Sequence, residues 1–278
     1  MREIVVAKTA GFCFGVKRAV DLAREAAECS ENVYCVGSIV HNKYVNRELE
    51  EKGIRFVKSL EEVPDGADVI IRAHGVTQEE IKECEKKHLR LVDTTCPNVK
   101  KIHRIVEEYS KKGYRIVIVG DKNHPEVIGI SGWSVSPCEI VYQEEELSEE
   151  QTFEKICIVS QTTMNLEKNQ KIIDKIMKNA KDYIVFDTVC RATEERQNEL
   201  RKLAQESDYA IIIGDPASAN SNRLYEISKE YCNSQFIENI DELCLNFLGT
   251  SCKILVMAGA STPASLINDV VLHLKQDE

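Results

Sequence analysis

Residues 91–120 read LVDTTCPNVKKIHRIVEEYSKKGYRIVIVG and contain the pattern that decides the fold. An apolar, strand-like run leads to Cys96, an amphipathic helical pattern follows, and a second apolar run ends at Gly120. The same order occurs twice more, beginning with IVVAKTAGFC at residues 4–13 and with IVFDTVC at residues 184–190. In every case a glycine lies 24 residues after the cysteine (13 to 37, 96 to 120, 190 to 214). The chain therefore contains a three-fold internal repeat.

The repeat continues beyond the glycines and places polar residues at equivalent positions. The residues four positions after the glycine are His41, His124 and Ser218, and those six positions after it are Lys43, Glu126 and Asn220. A second apolar strand in each repeat is followed by His74, Thr162 and Ser261. Parallel sheets bind ligands beyond the carboxyl ends of their strands, where all of these residues are predicted to lie.

Strands that alternate with helices predict an α/β fold of parallel sheets, built from right-handed βαβ units. We expect three similar units around a pseudo-three-fold axis, with their strand ends converging on one central cavity. The third repeat lacks a last strand, and we expect residues 4–7 to supply it. The predicted domains are residues 14–96, residues 97–189, and residues 190–278 together with the N-terminal strand in 1–13.

Composition restricts the classes of partner. The net charge of −10 and the pI near 5.3 argue against nucleic acid, which requires a basic surface. We expect no membrane span, because no apolar run approaches the roughly 18 residues that one needs. The sequence begins without the apolar stretch and cleavage site of a signal peptide, so we expect a cytoplasmic protein. In a reducing compartment its eleven cysteines are predicted to be thiols or metal ligands.

Three of these cysteines are candidates for one metal centre. Cys13, Cys96 and Cys190 each precede a predicted helix, whose N-terminal N–H groups stabilise a thiolate. Three thiolates around one axis suit an iron–sulfur cluster with one open iron, or a zinc ion with an open position. The alternative is three buried thiols at strand–helix junctions. Cys35 and Cys157 lie inside strand-like runs and are expected to pack as small hydrophobic residues.

The polar positions of the repeat suggest a binding site for a phosphate or diphosphate. Histidine, serine and asparagine side chains donate hydrogen bonds, and helix N-termini add backbone donors. Glu126 is a candidate proton donor, with Thr162 or Thr163 as the relay, because a desolvated carboxyl group has a raised pKa. The alternatives are a set of turn-forming polar residues and, for Glu126, a capping role in the next turn. The remaining histidines are expected within helices, on the surface or with satisfied hydrogen bonds: His88, His103 and His273.

The chain contains neither a GxGxxG motif nor a P-loop. If the chemistry is redox, electrons are therefore expected from a protein donor rather than from bound NAD(P)H. The same residues also suit two rival functions. A non-catalytic iron–sulfur sensor would account for the three cysteines, and a zinc-dependent phosphate-ester hydrolase would account for the histidines.

Over essentially its whole length the chain resembles the LytB family of 4-hydroxy-3-methylbut-2-enyl diphosphate reductases. The resemblance rests on short motifs in family order: GFCFGVKRAV, VHN, RAHGV, DTTCP, HPEV, SQTT, DTVCRATEERQ, NSNRL and GAS. Where that family commonly has Ser-Ser-Asn, this chain has Ser218-Ala219-Asn220. Ala219 lacks a hydroxyl donor, although its backbone N–H is available to a phosphate oxygen.

The resemblance implies specific roles for these residues. Cys13, Cys96 and Cys190 would ligate a central 4Fe–4S cluster with one open iron, and Glu126 with Thr162 would deliver a proton to the substrate hydroxyl, beside His124. The residues implied to bind the allylic diphosphate substrate are His41, His74, His124, Thr162, Ser218, Ala219, Asn220 and Ser261. The implied reaction is a two-electron reductive dehydroxylation that gives isopentenyl and dimethylallyl diphosphate, the last step of the methylerythritol phosphate pathway. A ferredoxin or a flavodoxin would be the electron donor.

Overall fold

The computed structural model describes residues 2–148, 152–245 and 252–276. Within these ranges the chain forms twelve β-strands and nine α-helices, which alternate along most of its length. No helix in the described ranges is both long enough and apolar enough to cross a membrane.

The strands form three sheets of four parallel strands, and all three sheets have the same strand order. In the first sheet the order is β3–β2–β4–β5, in the second β7–β6–β8–β9, and in the third β11–β10–β12–β1. The strands are β1 (Glu3–Val6), β2 (Val33–Val36), β3 (Arg55–Val57), β4 (Asp68–Ile71), β5 (Arg90–Asp93), β6 (Arg115–Val119), β7 (Glu139–Val141), β8 (Phe153–Ser160), β9 (Ala180–Val185), β10 (Tyr209–Ile213), β11 (Asn233–Ile237) and β12 (Lys253–Ala258).

Each repeat contributes three α-helices, of which the first follows the cysteine. The helices are α1 (Phe14–Cys29), α2 (Lys43–Glu51), α3 (Gln78–Lys86), α4 (Pro97–Lys111), α5 (Pro125–Ser131), α6 (Leu166–Lys178), α7 (Arg191–Gln205), α8 (Ala219–Ser228) and α9 (Ala264–Gln276). Between the outer strand of each sheet and the next strand along the chain there is also one short 3₁₀ turn: Leu60–Glu62, Glu144–Glu146 and Ile240–Glu242.

The predicted α/β class is confirmed, and so is the role of the N-terminal strand. β1 pairs in parallel with β12, with Glu3 opposite Lys253 and Val6 opposite Val256. The strand that the third repeat lacks is therefore supplied by the beginning of the chain. The arrangement around a pseudo-three-fold axis and the three predicted domain boundaries stay predictions.

The chain divides into two compact units. One, here called the terminal unit, comprises Met1–Lys17, Val40–Arg47 and Arg191–Glu278, and it contains the third sheet. The other, the middle unit, comprises Arg18–Ile39 and Glu48–Cys190, and it contains the first and second sheets.

The central strands are mostly apolar, because helices cover both faces of the sheet. β6 is an example: Val117 packs in a cluster with Ile172 of α6, whereas its neighbour Ile116 packs with Ile102 of α4. All four side chains are almost fully buried. Burial of one such side chain contributes about 1.5–3 kcal/mol, so the packing of the helices on the sheet is a main source of stability.

The structure adds one helix per repeat that the sequence pattern did not predict. These helices, α2, α5 and α8, begin one or two residues after the first polar position that follows the glycine, at Lys43, Pro125 and Ala219. The polar positions of the repeat therefore lie at helix N-termini, not only at strand ends.

Three histidines were predicted to lie within helices, on the surface or with satisfied hydrogen bonds, and two of them do not fit that prediction. His88 follows α3 with φ of 53°, in the left-handed region, so it lies in the turn that ends the helix. His103 lies in α4 but is buried, stacks on Trp133 with ring centroids 4.8 Å apart, and has an Nε2 without a hydrogen-bond partner among the described residues. Burial lowers the pKa of His103 to about 4, so its ring is neutral and packs as part of the core.

Gly214 and Gly259 leave room for the buried side chain of Ser221. A Cβ added at Gly259 would lie 2.0 Å from Oγ of Ser221 and 3.2 Å from its Cβ. A Cβ added at Gly214 would lie 2.3 Å from Oγ and 2.5 Å from Cβ of the same serine. Because β10 and β12 are neighbours, these two glycines allow α8 to approach the carboxyl end of the third sheet closely.

Gly259→Ala is expected to destabilise the protein by about 1–3 kcal/mol, because the new methyl group overlaps Oγ of Ser221. In a Ser221→Ala background that oxygen is absent, so the same change should cost much less. Gly214→Ala is the control, since its methyl group still overlaps Cβ of residue 221 in either background. Urea unfolding of the single and double variants measures these costs. An equal cost of Gly259→Ala in both backgrounds would contradict this explanation.

Candidate active site

The three candidate cysteines have the same backbone environment. Each N–H donates to the carbonyl oxygen of the residue two positions beyond the end of the neighbouring strand, over 2.9–3.2 Å. The pairs are Cys13 with Ala260 after β12, Cys96 with Ala73 after β4, and Cys190 with Thr162 after β8. α1 and α7 begin at the residue after their cysteine, and Cys96 is the N-cap of α4. The predicted position of all three cysteines at strand–helix junctions is therefore confirmed.

The thiols at these junctions differ from the core thiols. Cys13, Cys96 and Cys190 are half-buried and take part in no disulfide within the described ranges. By contrast Cys35 and Cys157 are fully buried, and burial raises the pKa of each to about 12. Soft sulfur donors at helix N-termini, within reach of solvent, fit a site for iron or zinc, whereas the core thiols do not.

Cys96 and Cys190 belong to adjoining parts of the middle unit. Asn98, two residues after Cys96, has its Nδ2 atom 3.0 Å from Sγ of Cys190. The beginning of α4 therefore lies next to the loop between β9 and α7.

Glu126 and Thr162 form a buried pair in the middle unit. Oε1 of Glu126 accepts from the backbone N–H of Thr162 at 2.6 Å, and Oε2 accepts from its hydroxyl group at 2.8 Å. Glu126 is 3% exposed and Thr162 is 7% exposed. The carboxylate thus binds a residue 36 positions away instead of capping its own turn, so the capping interpretation of Glu126 is wrong.

Burial decides the protonation of Glu126. Loss of hydration raises the pKa of its carboxyl group to about 7, although the two hydrogen bonds from Thr162 act in the opposite direction. At neutral pH a large fraction of this group carries a proton, which is the property that a general acid needs. The relay alternative, Thr163, points elsewhere: its Oγ1 accepts from Nε2 of Gln161 at 3.0 Å.

His124 is the residue that caps α5. Its Nδ1 atom accepts from the backbone N–H of Glu126 at 3.1 Å, so a neutral His124 ring carries its proton on Nε2. The ring of His74 meets that of His124 edge to face, with centroids 5.6 Å apart. The middle unit therefore brings His74, His124, Glu126 and Thr162 together.

The remaining candidate residues lie in the terminal unit. Ser218 is the N-cap of α8, and its Oγ accepts from the N–H of Ser221 at 3.3 Å. Ala219 and Asn220 are the first two residues of that helix. Asn220 is 5% exposed, and its Nδ2 has no hydrogen-bond partner among the described residues. An amide donor that is buried without a partner is costly, and it marks a place where a ligand oxygen would be bound.

His41 and Ser261 are linked in the same unit. Oγ of Ser261 donates to the backbone carbonyl of His41 at 2.7 Å. The next residue, Asn42, caps α2 through its Oδ1, which accepts from the N–H of Val45 at 3.1 Å. The turn that carries His41 is thus fixed by a cap on one side and by Ser261 on the other.

Sequence reasoning missed two residues of α7 that hold the loop before Cys13. Arg196, 3% exposed, donates from Nε and Nη2 to the carbonyl oxygen of Thr9 and from Nη2 to that of Gly11, the latter at 2.7 Å. Glu199 accepts from the N–H groups of Lys8 and Thr9 at 2.8 and 2.9 Å and from the hydroxyl of Thr9. The motif RATEERQ includes Arg196, but the spacing of the sequence alone does not predict a partner almost 190 residues away.

The raised pKa of Glu126 predicts a stability that depends on pH. A carboxyl group whose pKa rises on folding binds its proton more tightly in the folded state, so stability falls as pH rises from 4.5 to about 7. Glu126→Gln removes this dependence and should gain stability relative to wild type over that range, by at most about 1.4 kcal/mol per pH unit. Urea unfolding from pH 4.5 to 8 measures the difference.

Glu145→Gln is the matched control, because Glu145 is exposed in a 3₁₀ turn. Its stability difference from wild type should not change with pH over this range. A constant difference for Glu126→Gln as well would contradict the raised pKa.

The chain is similar to known proteins over almost its whole length. Residues 4–275 match the family described as LytB protein. A 4-hydroxy-3-methylbut-2-enyl diphosphate reductase from Caldanaerobacter subterraneus subsp. tengcongensis is 42% identical over 98% of this chain and 96% of its own. The enzyme of the same name from Clostridioides difficile is 40% identical over 98% of this chain and 99% of its own.

Two solved structures are also similar. One is the E-1-hydroxy-2-methyl-but-2-enyl-4-diphosphate reductase from Plasmodium falciparum, with a TM-score of 0.91, 29% identity, and coverage of 98% of this chain and 88% of that one. The other is an (E)-4-hydroxy-3-methyl-but-2-enyl diphosphate reductase, described as the terminal enzyme of the non-mevalonate pathway, with a TM-score of 0.73, 40% identity, and coverage of 99% and 100%. With a family match over nearly its whole length and relatives of 40% and 42% identity, the chain belongs to the LytB family.

Proposed function

We propose that this chain reduces 4-hydroxy-3-methylbut-2-enyl diphosphate to isopentenyl and dimethylallyl diphosphate, the last step of the methylerythritol phosphate, or non-mevalonate, route. Two electrons and two protons enter, one C–O bond breaks, one C–H bond forms, and water leaves. The observation that carries the proposal is the buried Glu126–Thr162 pair, whose Thr162 carbonyl also accepts from the N–H of Cys190. Thr162 thus connects the proposed proton donor, Glu126, with Cys190, a candidate cluster ligand.

Cys13, Cys96 and Cys190 would hold one 4Fe–4S cluster with one iron that has no cysteine ligand. Their three equivalent junctions, their sulfur donors and their helix N-termini support this assignment. When bound, the cluster supplies single electrons and a Lewis-acid position at that iron. A ferredoxin or a flavodoxin would be the electron donor, and the cytoplasm the compartment, because thiolate ligands persist in a reducing environment.

Side chains other than lysine and arginine, together with backbone N–H groups, would bind the diphosphate group of the substrate. The supporting observations are the buried amide of Asn220, the N-terminus of α8 at Ser218 and Ala219, and the edge-to-face pair of His74 and His124. The full set of proposed substrate-binding residues is His41, His74, His124, Thr162, Ser218, Ala219, Asn220 and Ser261.

Glu126 would deliver the proton that converts the substrate hydroxyl group into water. Protonated Glu126 donates from Oε2 to Oγ1 of Thr162, and the hydroxyl proton of Thr162 passes to the leaving oxygen. The 2.8 Å contact between these two atoms is short enough for that transfer. His124 supports the pair, since its Nδ1 holds the backbone of Glu126 at the start of α5.

Replacement of any one of Cys13, Cys96 or Cys190 by serine is expected to remove most of the iron from anaerobically reconstituted protein. The wild type should be brown, with broad absorption near 400 nm, about the wavelength expected for iron–sulfur charge transfer. Cys29→Ser and Cys244→Ser are matched controls at exposed cysteines and should retain wild-type iron. Wild-type iron content in all three junction variants would refute the ligand assignment, and a colourless zinc protein would favour a hydrolase.

Glu126→Gln is expected to lower kcat by roughly 10²- to 10⁴-fold, the usual contribution of general acid catalysis. Glutamine has the size of glutamate but donates no acidic proton, so the substrate should still bind and perturb the cluster spectrum without turnover. Thr162→Val should reduce kcat less severely if Thr162 relays the proton. Glu145→Gln is the control, with unchanged kcat. Turnover of Glu126→Gln within about twofold of wild type would assign the proton to another donor.

A further inference from the structure

The side-chain amide of Asn98 contacts the sulfur of Cys190, and the proposed reaction assigns no role to this contact. Its Nδ2 atom lies 3.0 Å from Sγ of Cys190, although the two residues are 92 positions apart. A thiolate or a metal-bound sulfur has no proton to donate, so in this pair the amide N–H is the donor and sulfur the acceptor.

The local structure holds both partners of this contact. Pro97 occupies the first position of α4 and places Asn98 at the second, in the first turn. Cys96, not Asn98, is the N-cap of the helix, so the amide of Asn98 is not used to cap its own helix. On the other side, the N–H of Cys190 is bonded to the carbonyl oxygen of Thr162 at 2.9 Å. The amide and the sulfur are therefore each positioned by backbone that is fixed independently.

We propose that Asn98 is a positioning residue that raises the reduction potential of the cluster through its hydrogen bond to Cys190. This inference rests on the proposed function, because it requires Cys190 to be a cluster ligand. Reduction adds negative charge, which the thiolate sulfurs partly carry, and an N–H dipole directed at sulfur stabilises the reduced form more than the oxidised form. Hydrogen bonds to ligand sulfurs are one of the ways in which proteins set cluster potentials.

The role predicts a specific change in electron transfer. Without the donor the potential becomes more negative, so a donor protein of fixed potential reduces the cluster less completely. Turnover driven by such a donor should then fall, whereas turnover with an excess of a strong chemical reductant such as dithionite should stay near wild type. If Asn98 only supported the fold, its replacement would lower turnover equally with the donor protein and with dithionite.

The test is the reduction potential of the reconstituted cluster, measured by spectroelectrochemical titration in wild type, Asn98→Leu and Asn98→Asp. Leucine is similar in size to asparagine but has no hydrogen-bond donor. Aspartate has the same shape as asparagine, but a negatively charged acceptor replaces the N–H donor. Both variants are expected to shift the potential to more negative values, aspartate by more. Asn233→Leu is the control, an identical change at an exposed asparagine at the beginning of β11, with no expected shift.

Iron content separates failure of this inference from failure of the proposed function. If wild type binds no cluster, the proposed function fails and the inference fails with it. If wild type and both Asn98 variants bind equal iron and have equal potentials, only the role of Asn98 is refuted. If both variants lose iron while Asn233→Leu retains it, Asn98 is needed for cluster assembly, and a tuning role is likewise refuted.

Discussion

The hydrogen bond from each junction cysteine to the neighbouring strand is the constraint on which the candidate site depends. In all three repeats the cysteine N–H donates to a carbonyl two residues beyond the end of β12, β4 or β8. This bond fixes where the chain leaves the sheet and where the next helix begins. The polar turns after β12, β4 and β8 are therefore tied to the cysteines by the same interaction. Thr162 is itself the accepting residue, whereas Ser261 and His74 each follow the accepting residue, so the predicted equivalence of Thr162 with His74 and Ser261 is wrong by one residue. The positions of the candidate ligands and of the polar turns beside them thus share one feature of the parallel sheets.

The second repeat uses this arrangement to place an acid. Thr162 donates to both oxygens of Glu126, while its carbonyl accepts from Cys190. Two donors alone would lower the pKa of a carboxylate, but the complete burial of Glu126 outweighs them and raises the pKa to about 7. With these effects opposed, a large fraction of Glu126 carries a proton at neutral pH.

The sequence predicted the parallel sheets, the three cysteine junctions and the pairing of β1, because these depend on apolar runs and on a spacing repeated three times. The helices α2, α5 and α8 were missed, since each is short and begins inside a polar turn whose residues also suit a loop. The burial of His103 was missed for a different reason: the helical pattern of α4 does not reveal that Trp133 covers it. The contacts of Arg196 and Glu199 with residues 8–11 were also out of reach, because no local pattern encodes a partner so distant along the chain.

The three repeats have chemically different side chains at the sixth position after the glycine. Six residues after the glycine, the first repeat has Lys43, whose ammonium group lies 3.0 Å from both carboxylate oxygens of Glu238 and forms an ion pair with it at the surface. The second has the buried acid Glu126, and the third has Asn220 with its buried amide. A chain with a net charge of −10 cannot attract an anion by its overall field. Backbone N–H groups and neutral side chains at helix N-termini bind an anion without that field, and because they are fixed by the fold they need little reorganisation when the anion arrives.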